Sequence, residues 1–240
     1  MPIPRIIHQV WFKIGQGPAT PPREYDDMRT SWTQAHPDWV FMQWDLEKSR
    51  TFLSEYYPEY VVLFDSYKRA IHKIDAIRYF ILHHYGGFYV DTDVTCYQSI
   101  EPLRRHKVVL ATNRYIKQGL IIHNNHFMGS IPKSVFFRDC IERLPSAALL
   151  QSNTDSFVSV MSVAGPFFLS TVASFHRKKG EIYVVTHAEE EVFLHHHEEH
   201  SWKVTRSIIS DVGRASLAVG GITAGVLLAK YILDTRTRRF

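Results

Sequence analysis

Apolar residues recur along most of this chain at spacings that alternate between those of strands and those of helices. The predicted strands cover residues 3–12, 39–44, 88–90, 107–112, 121–128 and 181–186, and the main predicted helices cover 23–35, 46–55, 70–85, 134–143 and 167–176. This alternation is typical of an α/β sandwich with a mostly parallel central sheet. Ligands of such sheets bind beyond the carboxyl ends of the strands.

The helix predicted over residues 70–85 carries two charged residues beside its apolar stripe. Isoleucines at positions 71, 74, 77 and 81 recur at helical spacing and are expected to face a core. Asp75 and Arg78 are three positions apart and share a face that is rotated away from this stripe. Gly86 and Gly87 end the helix. On an exposed helix, such an ion pair would contribute less than about 1 kcal/mol, so the pair alone indicates little about function.

The strand after this helix ends in two carboxylates, since residues 85–93 read YGGFYVDTD. Alternation along a strand directs Tyr89, Asp91 and Asp93 to one side. A hard divalent cation relieves the repulsion between two such acids. An isolated Asp-x-Asp is a weak signal, but its combination with the Asp75–Arg78 helix and a glycine break is much more specific. This combination favours the binding of a metal ion and a diphosphate, whose charge needs cations.

The amino-acid composition restricts the class of protein and its ligands less strictly than these motifs do. At 240 residues, 45% of them apolar, the chain can bury one substantial core. A net charge of +4 suits a polyanionic ligand or an anionic membrane surface. Basic residues are not interleaved with stacking aromatic residues, so nucleic-acid binding is not expected. Cys96 and Cys140 are isolated and provide neither a metal-binding spacing nor a disulfide framework.

The two ends of the chain differ. The amino terminus lacks the long apolar core of a signal peptide. Residues 215–233 are apolar apart from Lys230 and would span about 28 Å as a helix, close to the thickness of a bilayer's hydrocarbon core. We therefore predict a catalytic domain over 1–206, and a C-terminal apolar helix with a basic tail over 207–240. This helix is expected to associate the protein with a membrane; a soluble helix packed on the domain is the alternative.

The ordered motifs resemble those of a known family. Residues 3–13 (IPRIIHQVWFK), 75–78 (DAIR), 86–93 (GGFYVDTD) and 197–202 (HEEHSW) are similar to motifs of the family-32 glycosyltransferases with a DXD sugar-binding region. That family includes fungal α-1,6-mannosyltransferases and inositol phosphorylceramide mannosyltransferases. The resemblance covers most of residues 3–202. It implies a GT-A-like nucleotide-sugar-binding fold and a divalent metal, Mn²⁺ or Mg²⁺.

The resemblance also implies roles for single residues in binding the nucleotide-sugar donor. Trp11 matches the aromatic residue that stacks on the nucleotide base. Asp75 and Arg78 match a pair that contacts the donor sugar and phosphates, and Tyr89 matches a donor-contacting tyrosine. Trp202 matches a late tryptophan that reaches the leaving group. Together with Asp91, the Asp75–Arg78 pair forms the predicted catalytic set.

The metal ligands are implied by the same resemblance. Asp91 matches the first acid of the DXD motif, which touches ribose, sugar or a metal-bound water, and Asp93 matches the acid that binds the metal directly. His197 matches a further ligand or diphosphate contact. The histidines within 195–200 leave open which one is the ligand, and this run is expected to form a flexible active-site loop rather than a zinc site. A second polar cluster, residues 123–126, has no assigned role.

The resulting prediction is a retaining glycosyltransferase. It would move a hexose, with mannose from GDP-mannose as the specific choice, to a hydroxyl acceptor such as an inositol phosphoceramide-type glycolipid. UDP-glucose or UDP-galactose as donor, with a glycan or protein as acceptor, is the nearest alternative. Two other classes are a glycoside hydrolase that uses Asp91 and Asp93 as its acid and nucleophile, and a non-catalytic, membrane-tethered carbohydrate-binding protein.

Overall fold

The structure is a computed structural model that describes residues 1–13, 16–112, 122–151, 157–176 and 180–197. Its strands are β1 (Ile6–Val10), β2 (Val40–Trp44), β3 (Gly87–Val90), β4 (Val94–Cys96), β5 (Val108–Thr112), β6 (His123–Ser130), β7 (Ile182–Val185) and β8 (Leu194–His196). Its α-helices are α1 (Asp26–Ala35), α2 (Leu46–Tyr56), α3 (Val61–Ser66), α4 (Ala70–Tyr85), α5 (Val135–Ala147), α6 (Phe157–Val163), α7 (Pro166–His176) and α8 (His187–Phe193).

Six of these strands form the central sheet, in the order β2-β1-β3-β6-β5-β7. Strand β6 runs antiparallel to both of its neighbours, and the other pairings are parallel. The predicted α/β fold with a mostly parallel sheet is therefore confirmed. Strands β4 and β8 pair antiparallel in a second, two-stranded sheet. Because β4 comes after β3 with only a short turn between them, this small sheet lies at the carboxyl end of β3.

Each face of the central sheet carries its own hydrophobic cluster. Helices α4, α5 and α7 contribute to the cluster on one face, together with Val10 of β1 and Tyr89 of β3. The opposite face packs against α1 and β4, with Ile7 and Phe88 pointing inward. This alternation of neighbouring strand residues between the two faces is the one that extended backbone dictates. We call the first face the α4 side and the second the α1 side.

Helix α4 has the predicted bounds but is more deeply buried than its stripe of isoleucines indicates. Residues from Asp75 to Leu82 are all buried, because α4 contacts α5 and α6 as well as the sheet. Asp75 and Arg78 are therefore only 3% and 4% exposed. The surface ion pair that short spacing alone suggests is excluded.

The region after β7 contains regular structure that the sequence patterns do not predict. Helix α8 begins with a capping box, in which Thr186 and Glu189 each bond the backbone of the other. The sequence signal for it is the Ser/Thr-x-x-Glu spacing at residues 186–189. Strand β8 comes directly after α8, so the expected flexible loop is wrong for His195 and His196, whose backbone pairs with β4.

One stretch of the described residues is long and apolar enough to cross a membrane. It runs from Phe157 to His176, and 61% of an 18-residue window within it is buried inside the fold. It contains α6 and α7, and Val163, Phe168 and Val172 belong to the core on the α4 side. Those contacts are the ones expected of a core helix pair. The predicted C-terminal helix, and the boundary between residues 206 and 207, lie outside the described residues.

Candidate active site

Two of the predicted site residues, Trp11 and Asp91, lie where neighbouring parallel strands end. Strands β1 and β3 are paired in parallel. Trp11 is the residue directly after β1, and Asp91 is the residue directly after β3. The backbone of Asp91 continues the pairing with β6, since its N–H donates to the carbonyl of His126. The site is therefore built on the carboxyl edge of the sheet, as predicted for α/β folds.

A buried network on the α4 side is centred on Arg78. Its Nη1 lies 3.2 Å from Oδ1 of Asp75, and its Nη2 lies 3.0 Å from Oδ1 of Asp91. The guanidinium carbon lies 4.5 Å from the ring centre of Tyr89, in cation–π geometry. The Tyr89 hydroxyl donates to Oδ1 of Asp91 over 2.5 Å. Helix α4 and strand β3 thus hold the first DXD acid in place together.

Asn125 of β6 completes this network, although sequence analysis assigns no role to its polar cluster. Its Nδ2 donates to Oδ1 of Asp75 over 3.0 Å. Its backbone carbonyl accepts from Nη1 of Arg78 over 3.0 Å. Only the pairing of β6 with β3 brings Asn125 to this place, since it is 47 residues from Arg78 along the chain. No sequence spacing signals that contact.

Burial and charge oppose each other within the network. Burial raises the pKa of the Asp75 carboxyl to about 6, although Arg78 and Asn125 stabilise its charged form. For Arg78, burial alone would lower the pKa, but Asp91, Tyr89 and Asp75 raise it above its usual value. Burial also raises the pKa of Tyr89 well above normal, so this hydroxyl remains a donor. Arg78 is therefore a permanent cation fixed against Asp91.

Asp91, Asp93 and His196 form a group suited to a metal ion. One ligand atom from each lies within 4.8 Å of those of the other two, and all three side chains are partly buried. His196 Nε2 lies 3.4 Å from Oδ2 of Asp93. Two carboxylates and an imidazole are ligands that Mn²⁺ accepts. The chemistry and spacing of these residues therefore fit the divalent cation that the DXD motif implies.

The structure brings His196 to the aspartates, whereas the sequence-based ligand set contains His197. Strand β8 pairs Val94 with His196 and Thr95 with His195. Successive side chains of a strand point to opposite sides, so His197 faces away and its Nε2 bonds the Thr95 hydroxyl over 2.8 Å. The choice depends on the register of β8 against β4, which the histidine run itself does not reveal.

A second pair of residues, His126 and Glu190, supports the ring of His196. The ring of His126 stacks on that of His196, with centroids 4.3 Å apart. His126 Nε2 in turn bonds Oε1 of Glu190 over 2.9 Å, and both side chains are buried. Sequence analysis misses Glu190, because it lies in the unpredicted helix α8. Outer partners of this kind orient metal ligands.

Trp11 lies on the α1 side of the same edge. Its indole N–H donates to the carbonyl of Pro18 over 3.1 Å, and its ring lies 5.5 Å from that of Tyr25. Tyr25 forms one wall of a cleft of about 240 Å³ that Gln9 and Thr92 also line. Because Thr92 stands between the two aspartates of the DXD motif, this cleft adjoins the metal group. Trp202 lies outside the described residues.

A larger depression, of about 400 Å³, lies between β2 and α2. Trp44, Phe52 and Tyr85 line it, and Lys48 lies 4.7 Å from the centre of the Trp44 ring. None of the predicted site residues that the structure describes lines this depression. The metal-ligand group identified among the described residues is also elsewhere. The carboxyl edge of the sheet is therefore the candidate active site, although it holds the smaller cleft.

A mostly parallel sheet with a DXD turn, a buried Asp–Arg pair and a metal-ligand group at its carboxyl edge defines the GT-A-like class of nucleotide-sugar glycosyltransferases. Residues 22–110 match the family described as the glycosyltransferase sugar-binding region containing the DXD motif. This match includes Asp75, Arg78 and both acids of the motif.

Two curated relatives narrow the comparison. The chain is 35% identical over 170 residues to mannosyl phosphorylinositol ceramide synthase CSH1 of Saccharomyces cerevisiae, covering 71% of this chain and 42% of the relative. It is 33% identical over 176 residues to inositol phosphoceramide mannosyltransferase 3 of Schizosaccharomyces pombe, covering 73% and 46%. The chain thus spans less than half the length of these two relatives.

Solved structures agree on the fold. The UDP-bound glycosyltransferase domain of the YGT toxin matches with a TM-score of 0.55 and 10% identity, over 76% of this chain and 79% of the domain. The PaToxG glycosyltransferase matches with a TM-score of 0.51 and 11% identity, over 74% and 70%. At such low identity, these similarities support the architecture alone.

Proposed function

We propose that this chain is the catalytic part of a metal-dependent, retaining mannosyltransferase. It would move mannose from GDP-mannose to a hydroxyl group of an inositol phosphoceramide-type glycolipid. The observation that carries the proposal is the convergence of Asp91, Asp93 and His196 within 4.8 Å of one another, beside a buried arginine that is fixed to Asp91. This arrangement matches the chemistry that a departing diphosphate requires.

Each group of residues would have its own part in the reaction. Asp91, Asp93 and His196 would hold Mn²⁺ or Mg²⁺, which when bound offsets the negative charge that develops on the diphosphate. Arg78 positions Asp91 and adds a fixed positive charge, although its terminal nitrogens already contact Asp75, Asp91 and the Asn125 carbonyl. Direct donor contacts by Asp75, Arg78 and Tyr89, and by Trp202, remain predictions from the family resemblance.

Retention is explained most simply by attack on the same face that the leaving group departs from. Asp91 is held by Arg78 and Tyr89, and Asp75 is held by Arg78 and Asn125. Because both carboxylates are engaged in these contacts, we assign neither of them as a nucleophile. In this mechanism, the acceptor oxygen bonds to the anomeric carbon as the bond to the diphosphate breaks. The leaving diphosphate oxygen takes the acceptor proton.

The choice of substrates rests on the relatives. Two fungal proteins with 33–35% identity are named for mannose transfer to phosphorylinositol ceramide. A glycolipid acceptor would bring the protein to a membrane, and the predicted helix within residues 207–240 would strengthen that association. UDP-glucose and UDP-galactose remain the alternative donors.

A donor panel tests this proposal. Thermal shifts of the full chain are measured with GDP-mannose, UDP-glucose and UDP-galactose, each with Mn²⁺ and with a chelator, and release of free sugar or diphosphate is monitored in parallel. Stabilisation by one donor that requires the metal is expected, because a ligand that binds only the native state raises its stability. Sugar release that persists in the chelator would favour a glycoside hydrolase. Absence of binding to every donor would favour a non-catalytic protein.

A further inference from the structure

The cleft on the α1 side has features of a recognition site for a nucleobase. It is lined by Gln9 of β1, Gln43 of β2, Thr92 of the DXD turn, and Tyr25, Asp26 and Arg29 at the start of α1; we call it the Gln9 cleft. Its volume of about 240 Å³ is below the roughly 300–1,000 Å³ of sites that enclose a whole small molecule. It is therefore sized for one part of a nucleotide.

The position of the Gln9 cleft fits the base of a donor whose diphosphate is at the metal group. Thr92 lines the cleft, and its two neighbours in sequence, Asp91 and Asp93, belong to the metal group on the other side of the turn. Tyr25 forms another wall and contacts the ring of Trp11. A nucleotide reaching from the metal group over the end of β3 would thus place its base at this cleft.

Gln9 provides the observation that points to a ligand. Its side chain is buried, with an exposure of 4%. Its Nε2 nevertheless has no hydrogen-bond partner among the described residues. Leaving a buried donor unsatisfied costs free energy, so such groups in native structures need an explanation. A ligand acceptor that enters the cleft would supply the missing partner.

The charged residues of the cleft determine which base fits. Asp26 offers two acceptors, whereas Arg29 and Gln9 offer donors. Guanine has two acceptors, O6 and N7, to which one arginine can donate a pair of hydrogen bonds, and it has a donor amine at N2. A further N–H donor, at N1, lies beside this amine. Uracil has one N–H flanked by two carbonyl oxygens, so a carboxylate facing that edge meets two acceptors. Adenine has no O6 acceptor. The set of Asp26, Arg29 and Gln9 complements guanine.

A purely structural role for Asp26 is the competing explanation. Asp26 begins α1, where a carboxylate interacts favourably with the positive end of the helix dipole. Asp27 occupies the same first turn but does not line the cleft. Asp27 is therefore a matched control, because a helix-dipole role predicts similar effects at both positions and a base-recognition role does not.

We propose that the Gln9 cleft selects guanine in the donor, with Asp26 accepting from the N1 and N2 edge and with Gln9 and Arg29 donating to the acceptor edge. This inference rests on the proposed function, since it assigns the base of that donor. It adds the residues that would distinguish GDP-mannose from UDP sugars.

The experiment measures dissociation constants of GDP, UDP and ADP for the full chain with Mn²⁺. The native chain is expected to bind GDP most tightly. Asp26→Asn is expected to reduce the ratio of the UDP to the GDP dissociation constant by about 10-fold or more, the size of one lost base contact. Asp27→Asn is expected to leave this ratio unchanged. An unchanged ratio in Asp26→Asn, or an equal loss in both variants, would overturn the proposal.

Gln9→Met gives a second readout that a structural role does not reproduce. Replacing a buried, unpartnered amide by an apolar side chain of similar length should leave the melting temperature unchanged or raise it, while GDP binding weakens several-fold. Full GDP affinity in this variant would remove Gln9 from the site. A native chain that prefers UDP refutes guanine selection but leaves a glycosyltransferase in place, whereas a chain that binds none of the three nucleotides refutes the proposed function itself.

Discussion

The two ends of strand β3 differ in their roles: the residues at its start stabilise the fold, and the residues at its carboxyl end form the candidate active site. At its start, Gly86 and Gly87 have φ values of 66° and 91°, and a Cβ on Gly87 would lie 2.6 Å from the carbonyl oxygen of Ile6. His8 fills the remaining space and bonds the carbonyl of Gly86 over 2.9 Å. At its other end, Asp91 and Asp93 of the DXD turn lie together with His196 in the group suited to a metal ion.

The difference teaches which substitutions should affect which property. The start of β3 is neutral and closely packed, so changes there should cost stability and leave the chemistry of the folded protein intact. At the carboxyl end, the metal-ligand group consists of partly exposed side chains, so changes to these ligands should cost activity and little stability. Arg78 combines both properties, because it is buried like the residues at the start of β3 and charged like those at its carboxyl end.

The largest effect is expected at the carboxyl end. Asp93→Ala removes one proposed metal ligand from a partly buried position and leaves no cavity in the core. Because even outer partners of a metal ligand change activity by about 10–100-fold, transfer from the donor should fall by more than about 100-fold. The measurement is the initial rate of sugar transfer at saturating Mn²⁺, with the melting temperature as the check on folding.

Asp27→Ala is the control for that variant, since it removes an exposed aspartate of α1 that belongs neither to the metal group nor to the Gln9 cleft. It should keep both the rate and the melting temperature. Near-normal turnover in Asp93→Ala would contradict the site, and a large loss of stability would show that this end of β3 is structural as well.

The next effect belongs to the start of the strand. Gly87→Ala places a methyl group against the Ile6 backbone in a conformation that side chains avoid, and should cost about 3 kcal/mol or more of unfolding free energy. Gly180→Ala is the control: Gly180 has a φ of 64°, and among the residues that the structure describes no atom lies within 4 Å of an added Cβ, so only the conformational cost of about 1–2 kcal/mol applies. Urea denaturation of both variants measures the difference. Equal costs would mean that close packing at Gly87 contributes nothing.

How far the sequence predicts these two ends differs as well. The bounds of α4 and the glycine break before β3 are set by residue spacing and backbone preference, which are local properties. The pairing of Asp75 with Arg78 is set by helix geometry for the same reason. The burial of this pair is not set by local properties, because it depends on α5 and α6, which pack over the outer side of α4.

The supporting residues of the site depend on contacts between distant segments. Asn125 reaches Asp75 across 50 positions, and Glu190 reaches His126 across 64. His196 is distinguished from its neighbours only by the register of β8. Family resemblance narrows the ligand to a run of histidines, but a shift by one residue reverses the side of a strand. These features require the tertiary structure.

A pH titration sharpens the comparison at the neutral end of β3. Burial lowers the pKa of His8 to about 4, and its Nδ1 accepts from the Trp44 indole over 3.3 Å, so protonation would also break that bond. The unfolded chain, with a pKa near 6.5, binds the proton first. Stability is therefore complete above pH 6.5 and falls as the pH drops towards 4, by about 3 kcal/mol from this residue.

The measurement is the unfolding free energy of the native chain and of His8→Gln between pH 7.5 and 4.5. His72 and His83, whose pKa values burial also lowers to about 4, contribute equally to both proteins. Only the native chain should show the additional loss from His8. If the unfolding free energies of the two proteins change in parallel with pH, protonation of His8 does not contribute to the pH dependence of stability.

The smallest effect tests whether stability and chemistry separate within β3 itself. Tyr89→Phe removes the hydroxyl that holds Asp91, and Tyr79→Phe removes a buried hydroxyl that donates to the Ala164 carbonyl over 2.5 Å, away from the metal group. Each should cost about 1 kcal/mol of stability. Only Tyr89→Phe should also slow transfer, by about 10-fold, because Asp91 then keeps Arg78 as its remaining side-chain partner among the described residues. If the two variants slow transfer equally, the loss reflects general loosening of the core, and the hydroxyl of Tyr89 has no special part in positioning the acid.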